Sequence, residues 1–376
     1  MTEEDLVKLG NRVIDKQGNV VYFANALIEM IYNNSIPKET IIFDKKDVDI
    51  VAFNNFSYKN FNDDYFKLLD VDIPNSERKN DWFYPKQFDK VDLDVLFNTI
   101  VKNYPQEYKD RVNEELKLYK EHNMEKFLRF CIYFSTVIEK ENLVIGVGRG
   151  SSSASLLLYL LKIHLIDPIK YKLNIKEFIK DNKEGIYNIA DLDVDTKNRE
   201  EILKHFKHIP ASKINGDMIV PHGVGVYFCN IKKDLISGLA SIDYKVAEEQ
   251  YGYMKIDILR NSVYDRYYNR ADILLALEQP IFWQLLRDKN VVEKLPHIGS
   301  YFELLNEMPE IDSIEKLAKF IAIIRPGKKY LIDKVKNNKN WECIDDEIWL
   351  KPNDGQYYYK KTHSISYALM ISLLLR

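Results

Sequence analysis

Ala190-Asp191-Leu192-Asp193-Val194-Asp195 is the most informative stretch of the sequence, because aspartates and apolar residues alternate in it with no other charge between them. A β-strand places alternate side chains on one face, so the three aspartates would point one way while Leu192 and Val194 enter a core. Carboxylates at this spacing repel one another unless a cation, an arginine or a raised pKa relieves them, and paired divalent metal ions do so in phosphoryl-transfer enzymes. A solvated edge strand or an acidic turn explains the same pattern, so its meaning depends on partners elsewhere in the chain.

The composition is that of a globular protein of about two or three domains. The chain has 376 residues, of which 46% are hydrophobic, and a formal net charge of -3, so any nucleic-acid surface must come from local segregation of charge. Cys131, Cys229 and Cys343 form no CxxC pair, which argues against a disulfide scaffold or a zinc site and favours a reducing compartment, the cytoplasm. The acidic N-terminus and the interrupted apolar runs predict neither a signal peptide nor a membrane span.

Apolar spacing along the chain predicts an α+β protein. Helices are predicted over 24–31 and, with a break near Asn123, over 105–140, and the chain beyond residue 262 is predicted to be mainly helical. Strands are predicted over 40–43, 49–53, 143–147, 187–194, 223–231, 253–258 and 347–350.

A glycine-rich turn over 148–153 lies between a predicted strand and an apolar helix predicted over 154–163. Backbone N–H groups of such a turn converge on an anion, and the helix dipole adds favourable potential. Arg149 and Ser151, on either side of Gly150, add donors that suit a triphosphate. A serine that caps the helix is the competing interpretation, and the turn alone does not exclude it.

A third acid, Asp257, follows in the segment 251–259, where alternation places Lys255 and Asp257 on one face of a predicted strand. Such a charged pair is usually solvated. If this strand lies beside the first, however, Asp191, Asp193 and Asp257 form a three-carboxylate platform for two Mg²⁺ ions, with Lys255 close to a phosphate or to the third acid.

In this order, the segments resemble the catalytic core of the bacterial replicative C-family DNA polymerases, the DNA polymerase III alpha subunits. The segments that carry the resemblance are 104–111, 146–151 (Gly-Val-Gly-Arg-Gly-Ser), 166–171, 190–195, 220–226, 255–259 (Lys-Ile-Asp-Ile-Leu), 324–327 and 361–369. From the first of these segments to the last, the resemblance extends over about three quarters of the chain, and the ordered set is far more specific than any single piece.

The resemblance implies a nucleotidyltransferase palm of the polymerase beta type with a mixed sheet, flanking helices and two Mg²⁺ ions. The residues that it assigns to the metal ions and to catalysis are Asp191, Asp193 and Asp257. The residues that it assigns to the incoming triphosphate are Arg149, Gly150, Ser151 and, before the third acid, Lys255. Asp195 would support the strand or the surroundings of the metal ions.

Weaker motifs lie in the second half of the chain. His222 would approach DNA or nucleotide, although a histidine that begins an apolar strand is about as often a structural hydrogen-bonding residue. A lysine-rich run over 315–340 predicts a fingers surface for DNA or nucleotide, against the default of a solvated helix face. The candidates are Arg325, Lys361 and His363 for the nucleotide, and His222, Lys328 and Lys329 for DNA.

Three regions are predicted: a mixed α/β segment of unknown role over 1–75, the palm over 76–260, and reduced helical fingers over 261–376. Only residues 196–218 stand where family members insert a thumb, so the chain is expected to be a minimal, truncated member. Fewer duplex contacts predict weak, salt-sensitive DNA binding and a need for a processivity or thumb-supplying protein. The many Asn, Lys, Ile and Tyr residues are typical of an AT-rich genome. Together with the compactness of the chain, this composition favours a phage origin.

The function that the resemblance implies is template-directed extension of a primer-template DNA by deoxynucleoside triphosphates. A template-independent or primase-like nucleotidyltransferase is one alternative. A replication assembly subunit that has lost catalysis is the other, and the presence of Asp191, Asp193 and Asp257 argues against it.

Overall fold

The computed structural model of the chain describes residues 6–32, 42–44, 51–52, 67–69, 81–179, 192–352 and 355–376. These ranges contain helices together with parallel and antiparallel strand pairs, so the predicted α+β class is confirmed. None of their helices combines the length and apolar character needed to cross a bilayer.

Strands in the described ranges are short. They are β1 (Leu6–Leu9), β2 (Arg12–Asp15), β3 (Val20–Tyr22), β4 (Ile42–Asp44), β5 (Lys67–Leu69), β6 (Leu192–Thr196), β7 (Ile209–Asn215), β8 (Met218–Tyr227) and β9 (Ile256–Arg260). The α-helices are α1 (Ala24–Tyr32), α2 (Leu93–Ile100), α3 (Gln106–Glu121), α4 (Glu125–Lys140), α5 (Leu156–Leu160), α6 (Arg199–Lys204), α7 (Tyr244–Glu249), α8 (Arg270–Glu278), α9 (Lys289–Val292), α10 (Phe302–Glu307), α11 (Ile314–Ile323), α12 (Leu331–Asn338) and α13 (Lys361–Ser372).

The described residues fall into two compact units. The first unit takes those up to residue 83 together with 206–256, and the second takes 84–179, 192–205 and 257–376. The three-part division predicted from composition and motifs stays a prediction.

The first unit contains a five-stranded sheet and a long hairpin. Strands β1, β2 and β3 pair antiparallel, and β3, β4 and β5 pair parallel. Strands β7 and β8 form the hairpin. Asp234 is fully buried and accepts hydrogen bonds from Arg12 (2.9 Å) and from the Tyr22 hydroxyl (3.0 Å). This network ties the N-terminal strands to the segment that follows the hairpin.

The second unit is mainly helical around strands β6 and β9, which are neighbours in a sheet. At the ends of both strands the backbone N–H of Asn261 donates to the carbonyl of Thr196 (2.8 Å). A bond between the two C-terminal ends requires the strands to run in the same direction, which sets Asp193 opposite Asp257. The predicted helix pair over 105–140 is confirmed as α3 and α4, and Asn123 at the break has a φ of 55°.

Several predicted elements differ from the structure. Residues 143–147 make only an isolated bridge, between Ile145 and Thr196, and Gly146 packs against Tyr264 so closely that a Cβ there would lie 2.2 Å from its ring. The helix predicted over 154–163 is reduced to α5 after a 3-10 turn at Ser151–Ala154. The other strand predictions that are wrong or shifted are 49–53, helical at 51–52; 223–231, found at 218–227; 253–258, found at 256–260; and 347–350, a series of turns. Of the strands predicted over 40–43 and 187–194, the described residues are 42–43 and 192–194, which lie in β4 and β6.

Candidate active site

The acidic strand β6 is built as its alternation predicts. Leu192 and Val194 are buried at 2% exposure, whereas Asp193 remains partly exposed. Asp195 is also buried at 2%, and its Oδ1 accepts from Arg149 Nη1 (3.3 Å) while Oδ2 accepts from Asn261 Nδ2 (3.4 Å). Burial raises the pKa of Asp195, and the Arg149 guanidinium opposes that effect. Asp195 therefore holds Arg149, and Asp193 is the more accessible acid.

The glycine-rich turn lies directly against this strand. Arg149 Nε is 3.9 Å from Asp193 Oδ2, and Arg149 Nη2 donates to the Tyr367 hydroxyl (3.3 Å). Gly150 has a φ of 69° and a ψ of -164°, a conformation that glycine alone adopts readily. A Cβ on Gly150 would lie 2.4 Å from Asp193 Oδ2. The turn thus brings a guanidinium and backbone to the carboxylate, with no room for a side chain between them.

The helix after the turn does not offer its N-terminal amides to a ligand. The carboxylate of Glu115, which is fully buried on α3, accepts from the backbone N–H groups of Leu156 (2.8 Å) and Leu157 (3.1 Å). The Ser155 side chain caps the amide of Leu158 (3.3 Å). The sequence predicted that the N-terminus of this helix would help to bind an anion. That prediction is wrong, because the first amides of α5 already have acceptors within the protein. Donors for an anion remain at Arg149 and Ser151.

Helix α13 closes the other side of the turn. Ser366 and Ser153 share a hydrogen bond between their hydroxyls (2.8 Å), and the Tyr367 ring lies 3.8 Å, centroid to centroid, from the ring of His297. Burial, with Arg325 and Arg149 nearby, lowers the pKa of His297 to about 4, so its ring is neutral at pH 7.

Arg325 and His363 meet at Tyr359 in the same unit. The Arg325 guanidinium lies 4.4 Å from the centroid of the Tyr359 ring, and the His363 ring stacks on that ring at 6.2 Å. Arg325 Nε and Nη2 are buried and have no hydrogen-bond partner among the described residues. Guanidinium N–H groups in this state are suited to phosphate oxygens.

Asp193 and Asp257 fit a hard cation as far as the structure describes them. Each is partly exposed between two buried apolar neighbours, and the strand direction sets them opposite one another. Mg²⁺ prefers such carboxylate oxygens. The described residues contain no group of three His, Cys, Asp or Glu side chains placed to hold a metal ion, and Asp191, the remaining acid of the predicted platform, lies outside them.

Lys255 and His222 belong to the first unit. Lys255 is buried at 2% exposure, with Nζ 3.6 Å from Glu248 Oε1 and 5.8 Å from the Tyr244 ring centroid. The His222 ring centroid lies 4.5 Å from that of Tyr244, and His222 Nδ1 accepts from the backbone N–H of Gly225 (3.3 Å). Both predicted side chains thus surround one tyrosine ring.

The predicted fingers lysines are separated by the structure. Lys328 is buried at 2% exposure and donates to the carbonyl of Glu347 (2.6 Å), a placement that argues against contact with a DNA backbone. Lys329 is exposed. Lys361 is half-buried and lines a cavity of 310 Å³ with Lys319 and Trp349, a cavity whose lining includes neither Arg149 nor Asp193. The lysine-rich run is therefore not one continuous surface.

Sequence reasoning missed Glu115, His297, Tyr359 and Tyr367 as residues that organise this site. Tyr359 and Tyr367 lie inside or beside the resembling segment 361–369 but carry no charge, and Glu115 sits in an ordinary helical pattern. A positive φ of 69° at His297 is a conformational signal that the sequence alone does not reveal.

Comparison with known proteins connects this geometry to one family. Residues 87–213 match the family model described as the bacterial DNA polymerase III alpha NTPase domain. That segment contains the glycine-rich turn and the acidic strand, and it ends before Asp257.

The chain is similar to several curated proteins named DNA polymerase III subunit alpha. It is 31% identical to that of Mycoplasma genitalium over 125 residues, which are 31% of this chain and 14% of the relative. It is 27% identical to that of Campylobacter jejuni over 151 residues (39% and 12%), and 32% identical to that of Pseudomonas aeruginosa over 148 residues (38% and 12%). The matched segments therefore span only a small part of each relative.

Proposed function

This chain is related to the bacterial C-family DNA polymerases, and we propose that it is a template-directed DNA polymerase that extends a primer 3'-hydroxyl by two-metal-ion phosphoryl transfer. The observation that carries the proposal is the contact of Arg149 and Gly150 with Asp193. A phosphate-binding turn and a metal-binding acid must lie this close if one nucleotide is to touch both.

In the proposed site, Arg149, the Ser151 hydroxyl and the neighbouring backbone bind the triphosphate. Asp195 and Tyr367 hold the Arg149 guanidinium from two sides, so that its orientation is set before the nucleotide arrives. Arg325 would add donors for the phosphates, since its buried Nε and Nη2 have no acceptor among the described residues. Together these groups orient the phosphates and offset their charge.

Asp193 and Asp257, joined by Asp191 on the family resemblance, would hold Mg²⁺ ions in a palm of the nucleotidyltransferase type. Bound there, the ions would favour deprotonation of the primer hydroxyl and neutralise charge on the transferred phosphate. On the family resemblance Lys255, two residues before Asp257, would contact a phosphate, which requires its ammonium to leave the buried position beside Glu248.

The proposed partners are primer-template DNA, deoxynucleoside triphosphates and a protein that supplies the grip of a thumb. The segment 196–218 contains only the short helix α6, β7 and the tip of a hairpin, which supports a small area of duplex contact. The proposed setting is the cytoplasm of a bacterium or of a phage-infected cell, and the free cysteines Cys131, Cys229 and Cys343 suit that reducing compartment.

Primer extension with Mg²⁺ on a defined template tests the proposal. We expect incorporation of the nucleotide that the template base dictates, at low salt and with short products. Arg149→Ala should lower this incorporation by about a hundredfold. Arg260→Ala, which removes an arginine that is 59% exposed and paired with Asp265, should retain activity.

The outcomes of this assay separate the alternatives. Addition that ignores the template base would replace the proposal by a template-independent nucleotidyltransferase. No incorporation with any divalent metal or replication partner would indicate a subunit without catalysis.

A further inference from the structure

Glu115 is a buried carboxylate of the second unit that accepts four hydrogen bonds, and it lies beside the glycine-rich turn rather than in it. It has no solvent exposure. Its Oε1 accepts from Arg111 Nε (2.7 Å) and from the N–H of Leu156 (2.8 Å). Its Oε2 accepts from the Ser155 hydroxyl (2.7 Å) and from the N–H of Leu157 (3.1 Å).

Arg111 extends this network to the backbone at the end of the turn and to a later segment of the chain. Its Nη2 donates to the carbonyl of Ala154 (2.9 Å), the last residue of the 3-10 turn that begins at Ser151, and to the carbonyl of Leu173 (3.1 Å). The residues from 151 to 157 are therefore fixed at one end by a carboxylate and a guanidinium from α3. Their other end is the Arg149–Gly150 contact with Asp193.

The charges of the Glu115–Arg111 pair are compatible with an anion site in the neighbouring turn. A lone carboxylate behind a phosphate-binding turn would repel phosphate, but the Arg111 guanidinium lies 2.7 Å from Glu115 and neutralises it. The N–H groups of Leu156 and Leu157 donate to Glu115 and are not free to bind an anion. An anion would therefore be bound by the turn itself.

We propose that Glu115 is a positioning residue for nucleotide binding, which fixes the backbone of residues 150–155 so that Arg149 and Ser151 face the triphosphate. The inference rests on the proposed function, because it assigns the turn to the incoming nucleotide. Glu115 acts through the turn and does not touch the nucleotide.

Glu115→Gln is a sharp test because the two side chains have nearly the same shape. Each oxygen of Glu115 accepts from two donors, so the amide NH₂ of glutamine must face two donors whichever way it turns. Glu114→Gln is the matched control, since Glu114 lies next to it on α3, loses the same charge, is 55% exposed and lies 3.9 Å from Arg111 Nε, beyond hydrogen-bond distance.

The experiment measures the nucleotide concentration dependence of single-nucleotide incorporation, together with backbone hydrogen exchange over 150–158. For Glu115→Gln we expect the apparent KM for the nucleotide to rise by about tenfold or more with a smaller change in kcat, and exchange in this segment to accelerate while circular dichroism stays native. Glu114→Gln should match the wild type in both measurements.

Two results would overturn the inference. One is a lowered Tm with unchanged KM and unchanged exchange over 150–158, which would indicate a stabilising role only. The other is equal behaviour of Glu115→Gln and Glu114→Gln.

Should Glu115→Gln fail to fold, Ser155→Ala removes one donor to Glu115 and one helix cap, and it should raise KM and local exchange in the same direction by a smaller factor. Unchanged KM and exchange in Ser155→Ala would then count against the inference. Hydrogen exchange does not require catalysis, so a chain without polymerase activity would refute the proposed function while the fixing of the turn by Glu115 is still tested.

Discussion

Replacing Gly150 by alanine places a methyl group against the carboxylate of Asp193. The added Cβ would lie 2.4 Å from Asp193 Oδ2, whereas ordinary contact begins at 3.4 Å, so the two groups must separate by about 1 Å (3.4 minus 2.4). The backbone conformation at φ 69° and ψ -164° adds about 1–3 kcal/mol of strain for a residue with a side chain.

A displacement of about 1 Å in a catalytic group can lower the rate by about a hundredfold, which corresponds to about 2.7 kcal/mol in the barrier. We therefore expect Gly150→Ala to reduce kcat/KM for primer extension by that factor or more. Urea unfolding should show a loss of about 1–3 kcal/mol in the free energy of unfolding.

Gly216→Ala is the matched control, because Gly216 also has a positive φ (60°) but a Cβ on it would meet no described atom within 4 Å. It should lose stability through backbone strain and keep its activity. Equal kcat/KM for the wild type and both variants would refute the close packing of the turn on Asp193.

Three further predictions concern stability and DNA binding. Asp234→Asn leaves Arg12 without its buried anion and should lower the free energy of unfolding by about 3 kcal/mol in urea titrations; a loss below about 1 kcal/mol would contradict the importance of this network. Burial lowers the pKa of His164 from 6.5 to about 4, so the native state resists its protonation and stability should fall by up to about 3 kcal/mol as the pH drops from 6.5 to 4. This loss should shrink in His164→Gln, and an unchanged pH dependence would count against it. Lys328→Met should cost about 1–2 kcal/mol of stability without changing DNA affinity, whereas Lys329→Met should weaken DNA binding at low salt; the reverse pattern would show that the buried lysine reaches DNA.

The alternation at Leu192, Asp193 and Val194 was sufficient to predict which of these side chains enter the core, because successive side chains of a β-strand point to opposite faces of the sheet. It did not distinguish Asp193 from Asp195. That difference arises from Arg149 and Asn261, which reach Asp195 from distant parts of the chain.

The glycine-rich turn shows where local reasoning fails. Its position before an apolar helix suggested that the helix N-terminus would bind an anion, but Glu115 from α3 already accepts from those amides. A partner about 40 residues away in sequence cannot be read from the turn itself. Lys328 is similar, since the carbonyl of Glu347 that holds it lies in a loop that looked like a strand.

The segment 143–147, predicted to be a strand, pairs with β6 through a single bridge between Ile145 and Thr196, and at Val147 the Tyr264 hydroxyl takes the place of a strand partner. Val147 donates its N–H to the Tyr264 hydroxyl (3.1 Å), and Gly146 donates to the carbonyl of Asp195 (2.8 Å). A short apolar run indicates burial more reliably than it indicates the kind of element.

In the proposed function, Asp193 works with the glycine-rich turn in templated nucleotide transfer. The most direct test of this role is the rate of single-nucleotide incorporation, with Mg²⁺ and each of the four template bases, by the wild type, by Asp193→Asn and by the exposed-acid control Glu200→Gln. We predict template-dictated incorporation by the wild type and the control, and a fall of about a thousandfold or more in Asp193→Asn. Full activity of Asp193→Asn would contradict the account.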